Sequence, residues 1–177
     1  MRYALTYGTL SGLAILATIL LGLTIAPRDG FFTSEYFGYL VMLIGLSMIF
    51  IGIKRYRDVE QGGVIRFWPA LKVGLAIAVV AALIYVLCWE IYLASTGYRF
   101  MDDYVTGLAA DRRTAGASEA EIAQYLASME SMRELYRNPA ARIGITFLEI
   151  FPVGLIVALF SAAVLRFPKV LPARQAA

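Results

Sequence analysis

Residues 73–94 read VGLAIAVVAALIYVLCWEIYLA, a run in which Glu90 is the only charged side chain. Three further runs share this character: 3–26 and 36–53 carry no charge, and 143–165 carries only Glu149. At about 1.5 Å of rise per helical residue each run reaches about 27 to 36 Å, against a hydrocarbon core of about 30 Å. The sequence therefore predicts four transmembrane helices.

The composition favours lipid over water as the surroundings of this chain. It has 177 residues, of which 60% are hydrophobic, and a mean hydropathy of +0.69. Four spans leave too little polar surface to cover the same runs inside a soluble protein, and no room for a separate soluble domain. We expect one membrane domain over residues 1–177, an all-α four-helix bundle. The first run is longer than a usual signal-peptide core, so we expect it to be retained.

The positive charges predict which side of the membrane each segment faces. Nine cations lie at the N-terminus, in the loop 54–72 and in the C-terminal tail, and they include Arg2 and Arg174. The same segments contain only two acids, Asp58 and Glu60. The short loop 27–35 has one cation, Arg28, and 95–142 has six arginines but seven acids. By the positive-inside rule we expect both termini and the loop 54–72 to lie in the cytoplasm.

Small residues on the first span predict a close helix contact. Gly8 and Gly12 stand four residues apart, which lets a second helix backbone approach closely in lipid. This packing seam joins either two helices of one chain, the interpretation that we favour, or two copies in a homo-oligomer.

The basic loop 54–72 contains candidate contacts to lipid headgroups. Cations beside aromatic rings suit the headgroup level, and each adds about 1 kcal/mol near an anionic surface. The candidates are Lys54, Arg55, Arg57, Arg66 and Trp68. The alternative is plain topological anchoring, which needs no specific lipid.

The segment between spans three and four predicts a helical cap over about residues 98–138. Ser118 followed by Glu121 fits a capping box, and apolar residues then recur at three- and four-residue spacing up to Tyr136. Asn138 and Pro139 end this helix just before span four. The cap either lies on the outer leaflet, covers the bundle or meets a partner, and we favour the second.

Glu90 and Glu149 are the most informative single residues, because ionisable groups inside membranes are functional candidates by default. Counted from Lys72 and Arg166, both lie about 26 Å from the inner end of their helices, hence at one depth. If the two carboxyls meet, they share a proton or bind a cation. If instead Arg99 or Arg142 pairs with them, they tie the cap to the bundle. Exposure to water near the interface is the third alternative.

Several chemistries are excluded by residue types that the sequence lacks. There is no histidine, and Cys88 is the single cysteine, so imidazole bases, haem ligation by histidine, ordinary zinc sites and an internal disulfide are ruled out. No nucleotide loop, nucleophile elbow or dinucleotide fingerprint occurs. We expect no catalytic residue, no cofactor, no metal and no nucleic-acid partner.

Several short motifs resemble a known family. They are the run Gly52-Ile53-Lys54-Arg55-Tyr56-Arg57-Asp58 with Gly62, Gly63 and Phe67, then Ile84-Tyr85 with Trp89, Tyr136-Arg137-Asn138-Pro139, and Glu149-Ile150 with Pro152 and Gly154. From Tyr3 to about Arg166 the chain resembles the bacterial membrane-protein family catalogued as domain of unknown function 4199. The resemblance implies a small four-span protein of the bacterial cytoplasmic (inner) membrane, and it brings no established activity, ligand or catalytic residue.

The function predicted from these features is interaction in the membrane. We expect a non-enzymatic protein that self-associates or serves a larger membrane complex, with the lipid bilayer as its surroundings. The alternative is a small transporter, or a proton- or cation-coupled component, that uses Glu90 and Glu149. A lipid-modifying enzyme is the least favoured hypothesis, since it needs a nucleophile or base poised at the interface.

Overall fold

The structure, a computed structural model, describes residues 1–25 and 35–173. The described residues form seven α-helices, which are α1 (Arg2–Ile25), α2 (Glu35–Leu46), α3 (Met48–Glu60), α4 (Phe67–Ser95), α5 (Phe100–Thr114), α6 (Glu119–Arg137) and α7 (Pro139–Leu165). The predicted end of the first span at Ala26, Arg28 in the loop that follows it, and Arg174 lie outside the described residues.

Four helical segments are long and apolar enough to cross a membrane, which confirms the predicted fold class. They are Arg2–Leu23, Tyr36–Glu60, Phe67–Ser95 and Pro139–Leu165. Only 28% to 44% of the residues in their most apolar windows are buried within the protein. Large apolar side chains such as Leu83, Leu148 and Phe160 are more than half exposed. Such a surface is stable in hydrocarbon and costly in water.

The helices extend further than the apolar runs that predicted them. Below the second run the chain stays helical to Glu60, because basic residues are compatible with helix and Lys54 bonds Asp58 one turn on, at 2.5 Å. Gly62 and Gly63 then adopt positive φ angles of 62° and 88°, and the helix ends. Since α4 already begins at Phe67, the non-helical part of the predicted loop 54–72 is reduced to 61–66.

The second span is interrupted once, at Ser47, between α2 and α3. The Ser47 hydroxyl donates to the Ile44 carbonyl at 2.6 Å, a local bond that competes with the helical pattern. On α1, the buried Ser11 hydroxyl donates to the Gly45 carbonyl at 2.8 Å. A polar side chain in an apolar span is thus satisfied by backbone next to the interruption.

The chain divides into two compact units. The first, here called the span unit, comprises Met1–Cys88 and Phe147–Ala177. The second, here called the inserted unit, comprises Trp89–Thr146. The division falls within the sequences of α4 and α7.

Helices of the span unit approach one another closely at glycines. A Cβ added to Gly8 would lie 2.6 Å from the Val80 Cβ atom, and one added to Gly12 would lie 2.6 Å from the Ala81 carbonyl oxygen. Both glycines are buried. The predicted small-residue seam on α1 is therefore in contact with α4 of the same chain.

The inserted unit contains the helical segment that was predicted between spans three and four. Here α5 and α6 pack against each other around the buried side chains of Val105, Ala109 and Ile122. The predicted capping box is confirmed, because the Ser118 hydroxyl accepts from the Glu121 amide and the Glu121 carboxylate accepts from the Ser118 amide at 2.7 Å.

Candidate functional site

A buried ion pair lies at the centre of the inserted unit. Arg142 donates through Nε and Nη2 to the two carboxylate oxygens of Glu90, each at 2.7 Å. The side chain of Arg142 is 5% exposed and that of Glu90 is 20% exposed. Two parallel bonds of this kind give the strongest geometry available to an arginine and a carboxylate.

The remaining donors of Arg142 are directed by its surroundings. Its Nη1 atom donates to the Tyr136 carbonyl at 2.9 Å, and its guanidinium lies 4.7 Å from the centre of the Tyr98 ring. Tyr98 is held there by a left-handed backbone, with φ at 57°, directly after Gly97. A non-glycine residue in this region is strained, so the surrounding structure must hold it. Arg142 is therefore held by its contacts with Glu90, Tyr136 and Tyr98.

The start of α7 positions Arg142 along the chain. The Asn138 side chain accepts hydrogen bonds from the amides of Ala140 and Ala141, at 3.0 and 3.3 Å, and Pro139 occupies the first helical position. Both features are typical of a helix N-terminus. Arg142 follows on the first turn of α7.

An aromatic cluster supports the ion pair. The Trp89 indole N–H donates to the Tyr136 hydroxyl at 2.8 Å, and the Trp89 and Phe100 rings meet edge to face with centres 5.0 Å apart. Trp89 directly precedes Glu90 in the chain, and Tyr136 supplies the backbone carbonyl to which Arg142 donates. The cluster and the ion pair therefore form one network. Such networks rigidify a protein when every member is satisfied.

Beside this network lies a cavity of about 400 Å³. Its charged lining consists of two carboxylates and three guanidinium groups: Glu90, Asp102, Arg133, Arg137 and Arg142. Arg133 and Arg137 stand one turn apart on α6, and their nearest atoms lie 3.3 and 3.8 Å from the same Asp102 oxygen. These contacts are looser than those of Glu90 with Arg142.

The two predicted acids occupy different units. Glu90 belongs to the inserted unit and pairs with Arg142, which is one of the two arginines proposed from the sequence. Glu149 lies on α7 in the span unit, and its side chain is exposed at the surface of the protein. A meeting of the two carboxyls stays a prediction.

The predicted headgroup contacts divide into exposed and internal side chains. Arg55, Arg66 and Trp68 are exposed, and Trp68 keeps 69% of its surface. Lys54 is half-buried and bonds Asp58. Arg57, in contrast, is fully buried, so it has no surface for a lipid.

Arg57 instead ties the C-terminal segment to α3. Its Nη1 atom donates to the Val170 carbonyl at 2.9 Å, Nη2 donates to the Leu171 carbonyl, and Nε donates to Asp58 at 2.7 Å. We refer to this arrangement as the Arg57 clasp. Sequence reasoning missed it, because the accepting groups are backbone carbonyls, which carry no residue-type signal.

Asp102 is a second residue whose partners sequence reasoning did not assign. The structure places it between Arg133 and Arg137 of α6. A signal was present, since arginines four residues apart lie on one helix face, opposite an acid on the preceding helix.

The fold and this site define a class. Over residues 1–25 and 35–173 the secondary structure is all-helical, with four helices long and apolar enough to span a membrane and a helical segment between the third and the fourth. A family model with the description "Protein of unknown function (DUF4199)" matches residues 2–166, and the chain belongs to that family. This confirms the resemblance seen in the sequence. Comparisons with curated proteins and with solved structures give no match.

Proposed function

We propose that this chain is a non-enzymatic membrane protein of the bacterial inner membrane that acts by interaction, either with copies of itself or with a larger membrane complex. The observation that carries the proposal is the bidentate pair of Glu90 and Arg142. Glu90 is one of the two span carboxylates considered for proton or cation chemistry, and both of its oxygens are engaged by one arginine.

The other buried polar groups support the same interpretation. Arg57 holds two backbone carbonyls of the C-terminal segment, and Ser11 holds a carbonyl on α2. Each of these groups fixes one part of the chain against another. A large exposed apolar surface is suited to binding other helices in the membrane.

The ion-coupled alternative rests on Glu149 once Glu90 is paired. A transporter of this kind should show proton- or cation-dependent flux in reconstituted vesicles, and Glu149→Gln should abolish it.

In vivo photo-crosslinking tests the proposed function. A photoreactive amino acid is placed at Met132 on α6 and at Leu148 on α7, side chains that are 41% and 66% exposed. We expect discrete adducts larger than the monomer from at least one position. A position with a buried side chain, Ile15, serves as the control. Monomers alone at both exposed positions, over several expression levels, would contradict the proposal.

The proposed sidedness places both termini in the cytoplasm and the segment 95–142 outside. It follows from the basic residues around the second span and the C-terminal segment. Single cysteines at Ser118 and at Arg66, both exposed, test it in a Cys88→Ala background. An impermeant maleimide should label the first in intact spheroplasts and the second only in inverted vesicles. The reverse pattern would overturn this orientation.

A further inference from the structure

The cavity of the inserted unit contains a donor without an acceptor. Arg133 Nε is buried and has no hydrogen-bond partner among the described residues. The Asp102 oxygen lies 3.3 Å away but outside hydrogen-bond geometry. A buried donor left unsatisfied is costly, and a native protein that keeps one needs a reason such as an absent ligand.

The second observation is a local excess of donors facing the same cavity. Arg137 reaches Asp102 only at 3.8 Å, and Arg133 Nη1 reaches the half-exposed Glu130 only at 3.6 Å. Asp102 alone therefore faces two guanidinium groups inside the cavity. By contrast each guanidinium nitrogen of Arg142, which lines the same cavity, donates a hydrogen bond, either to Glu90 or to the Tyr136 carbonyl.

From these observations we infer that the cavity binds a phosphate group. Guanidinium groups match the oxygens of a phosphate through parallel hydrogen bonds, and two of them one turn apart present several donors to one tetrahedral anion. The anion accepts from Arg133 Nε and bridges to Arg137. Asp102 is then the group that holds both arginines in place when the cavity has no anion.

The remainder of the lining indicates where such a phosphate comes from. Leu93, Met101 and Pro139 add apolar surface to the cavity, and Leu93 and Pro139 belong to helices long enough to span the membrane. A site with this mixture takes the phosphate of an anionic lipid headgroup or a free phosphate in solution. Both sources present the same oxygens to the arginines. The inference does not depend on the proposed interaction function.

The experiment uses the full-length protein in nanodiscs, with Trp89 as the reporter in a Trp68→Phe background. Trp89 bonds Tyr136, which lines the cavity, so binding alters its fluorescence. One arm adds inorganic phosphate to discs of phosphatidylcholine. The other arm replaces part of the phosphatidylcholine by phosphatidylglycerol. A response in the first arm assigns a soluble phosphate, and a response in the second alone assigns a lipid headgroup.

Variants of the cavity decide whether the response belongs to this site. Arg133→Gln is expected to weaken binding by about tenfold, the loss of one charge-assisted pair of bonds. Asp102→Asn removes the competing carboxylate and is expected to strengthen binding several-fold. Arg112→Gln is the matched control, an arginine on α5 that stacks on Tyr125 and does not line the cavity.

Two outcomes would overturn the inference. One is the absence of any fluorescence response in both arms. The other is that Arg133→Gln and Asp102→Asn bind phosphate with equal affinity. Should Arg133→Gln fail to fold, Asp102→Asn still tests the inference, because it keeps both arginines and predicts a gain rather than a loss.

Discussion

The span unit and the inserted unit each contain one almost fully buried arginine, and the two are used differently. Arg57 of the span unit donates to two backbone carbonyls and to Asp58, a carboxylate that also bonds Lys54. Arg142 of the inserted unit is the only ion-pair partner of Glu90 within the described residues. Removing Arg57 therefore leaves no carboxylate alone, whereas removing Arg142 does.

The two units also differ in what brings their helices together. In the span unit, glycines allow backbones to touch, which suits helices without an aqueous hydrophobic drive between them. The inserted unit relies on charged and aromatic groups around Glu90 and Arg142. Close packing tolerates little added volume, while a polar network tolerates little loss of charge.

The largest expected effect is that of Arg142→Met. It leaves Glu90 as a largely buried carboxylate without its partner, and breaking such a pair costs about 3 kcal/mol or more of unfolding free energy. Unfolding in mild detergent, followed by Trp89 emission in a Trp68→Phe background, measures the loss. Arg99→Met, at an exposed arginine, is the control.

A double variant distinguishes loss of the pair from loss of packing. Glu90→Gln combined with Arg142→Met removes the charge that the single variant leaves unpaired, so it should be more stable than Arg142→Met alone. If the single variant unfolds no more easily than Arg99→Met, the ion pair does not stabilise the inserted unit.

A smaller effect is expected for Arg57→Leu, because Asp58 keeps Lys54 as its partner. Two hydrogen bonds to backbone carbonyls are lost. We expect a loss of about 2 kcal/mol, the size of a bond to a charged donor. The C-terminal segment should also become sensitive to trypsin at the exposed Lys169.

Arg55→Leu is the matched control for the Arg57 clasp. It removes an exposed arginine two residues away on the same helix. Equal trypsin sensitivity in the two variants would show that Arg57 does not hold the C-terminal segment.

Particular residues show how much of the fold and of the candidate site could be predicted from the sequence. The four spans were predictable because length and hydropathy are local properties, and the Ser118 capping box because its spacing is fixed by helix geometry. Arg142 could be proposed as a partner for Glu90 because the two residues have opposite charges. One lies at the start of the fourth span and the other lies near the end of the third. The role of Arg57 was not predictable, since it depends on which backbone carbonyls the tertiary fold brings near.

An intermediate effect of a different kind is expected for Gly12→Ala in the span unit. The added methyl group would lie 2.6 Å from the Ala81 carbonyl oxygen, and a backbone atom cannot move aside as a flexible side chain can. Helix α1 must then shift away from α4, at a cost of about 1 to 2 kcal/mol. Thermal unfolding in detergent measures the change.

Gly144→Ala provides the comparison from the inserted unit. A methyl group there meets nothing within 4 Å, so the variant should be neutral or gain up to about 1 kcal/mol from helix propensity. If Gly12→Ala is as stable as Gly144→Ala, the span unit does not depend on close approach at the seam.

The smallest expected effect is a pH dependence at the start of α6. The backbone amide and the hydroxyl of Ser118 donate to the Glu121 carboxylate and lower its pKa below the usual value for glutamate. The folded state therefore favours the ionised carboxylate. Its contribution is fully present above the usual glutamate pKa and is lost as the pH falls through the lowered pKa of the folded state.

Hydrogen exchange of the Glu121 and Ile122 amides, corrected for the intrinsic rate, reads out this local effect in the wild type and in Glu121→Gln. Glutamine keeps the capping geometry without the charge, so the wild type should be better protected at pH 6 and equally protected at a pH below the lowered pKa of Glu121. Glu119 also contributes to the pH dependence of the wild type, because the bond from Arg113 lowers the pKa of Glu119 as well. Since Glu119 is unchanged in the variant, the difference between the two proteins isolates Glu121. A difference of the same size at both pH values would mean that the charge of Glu121 does not contribute to the capping box.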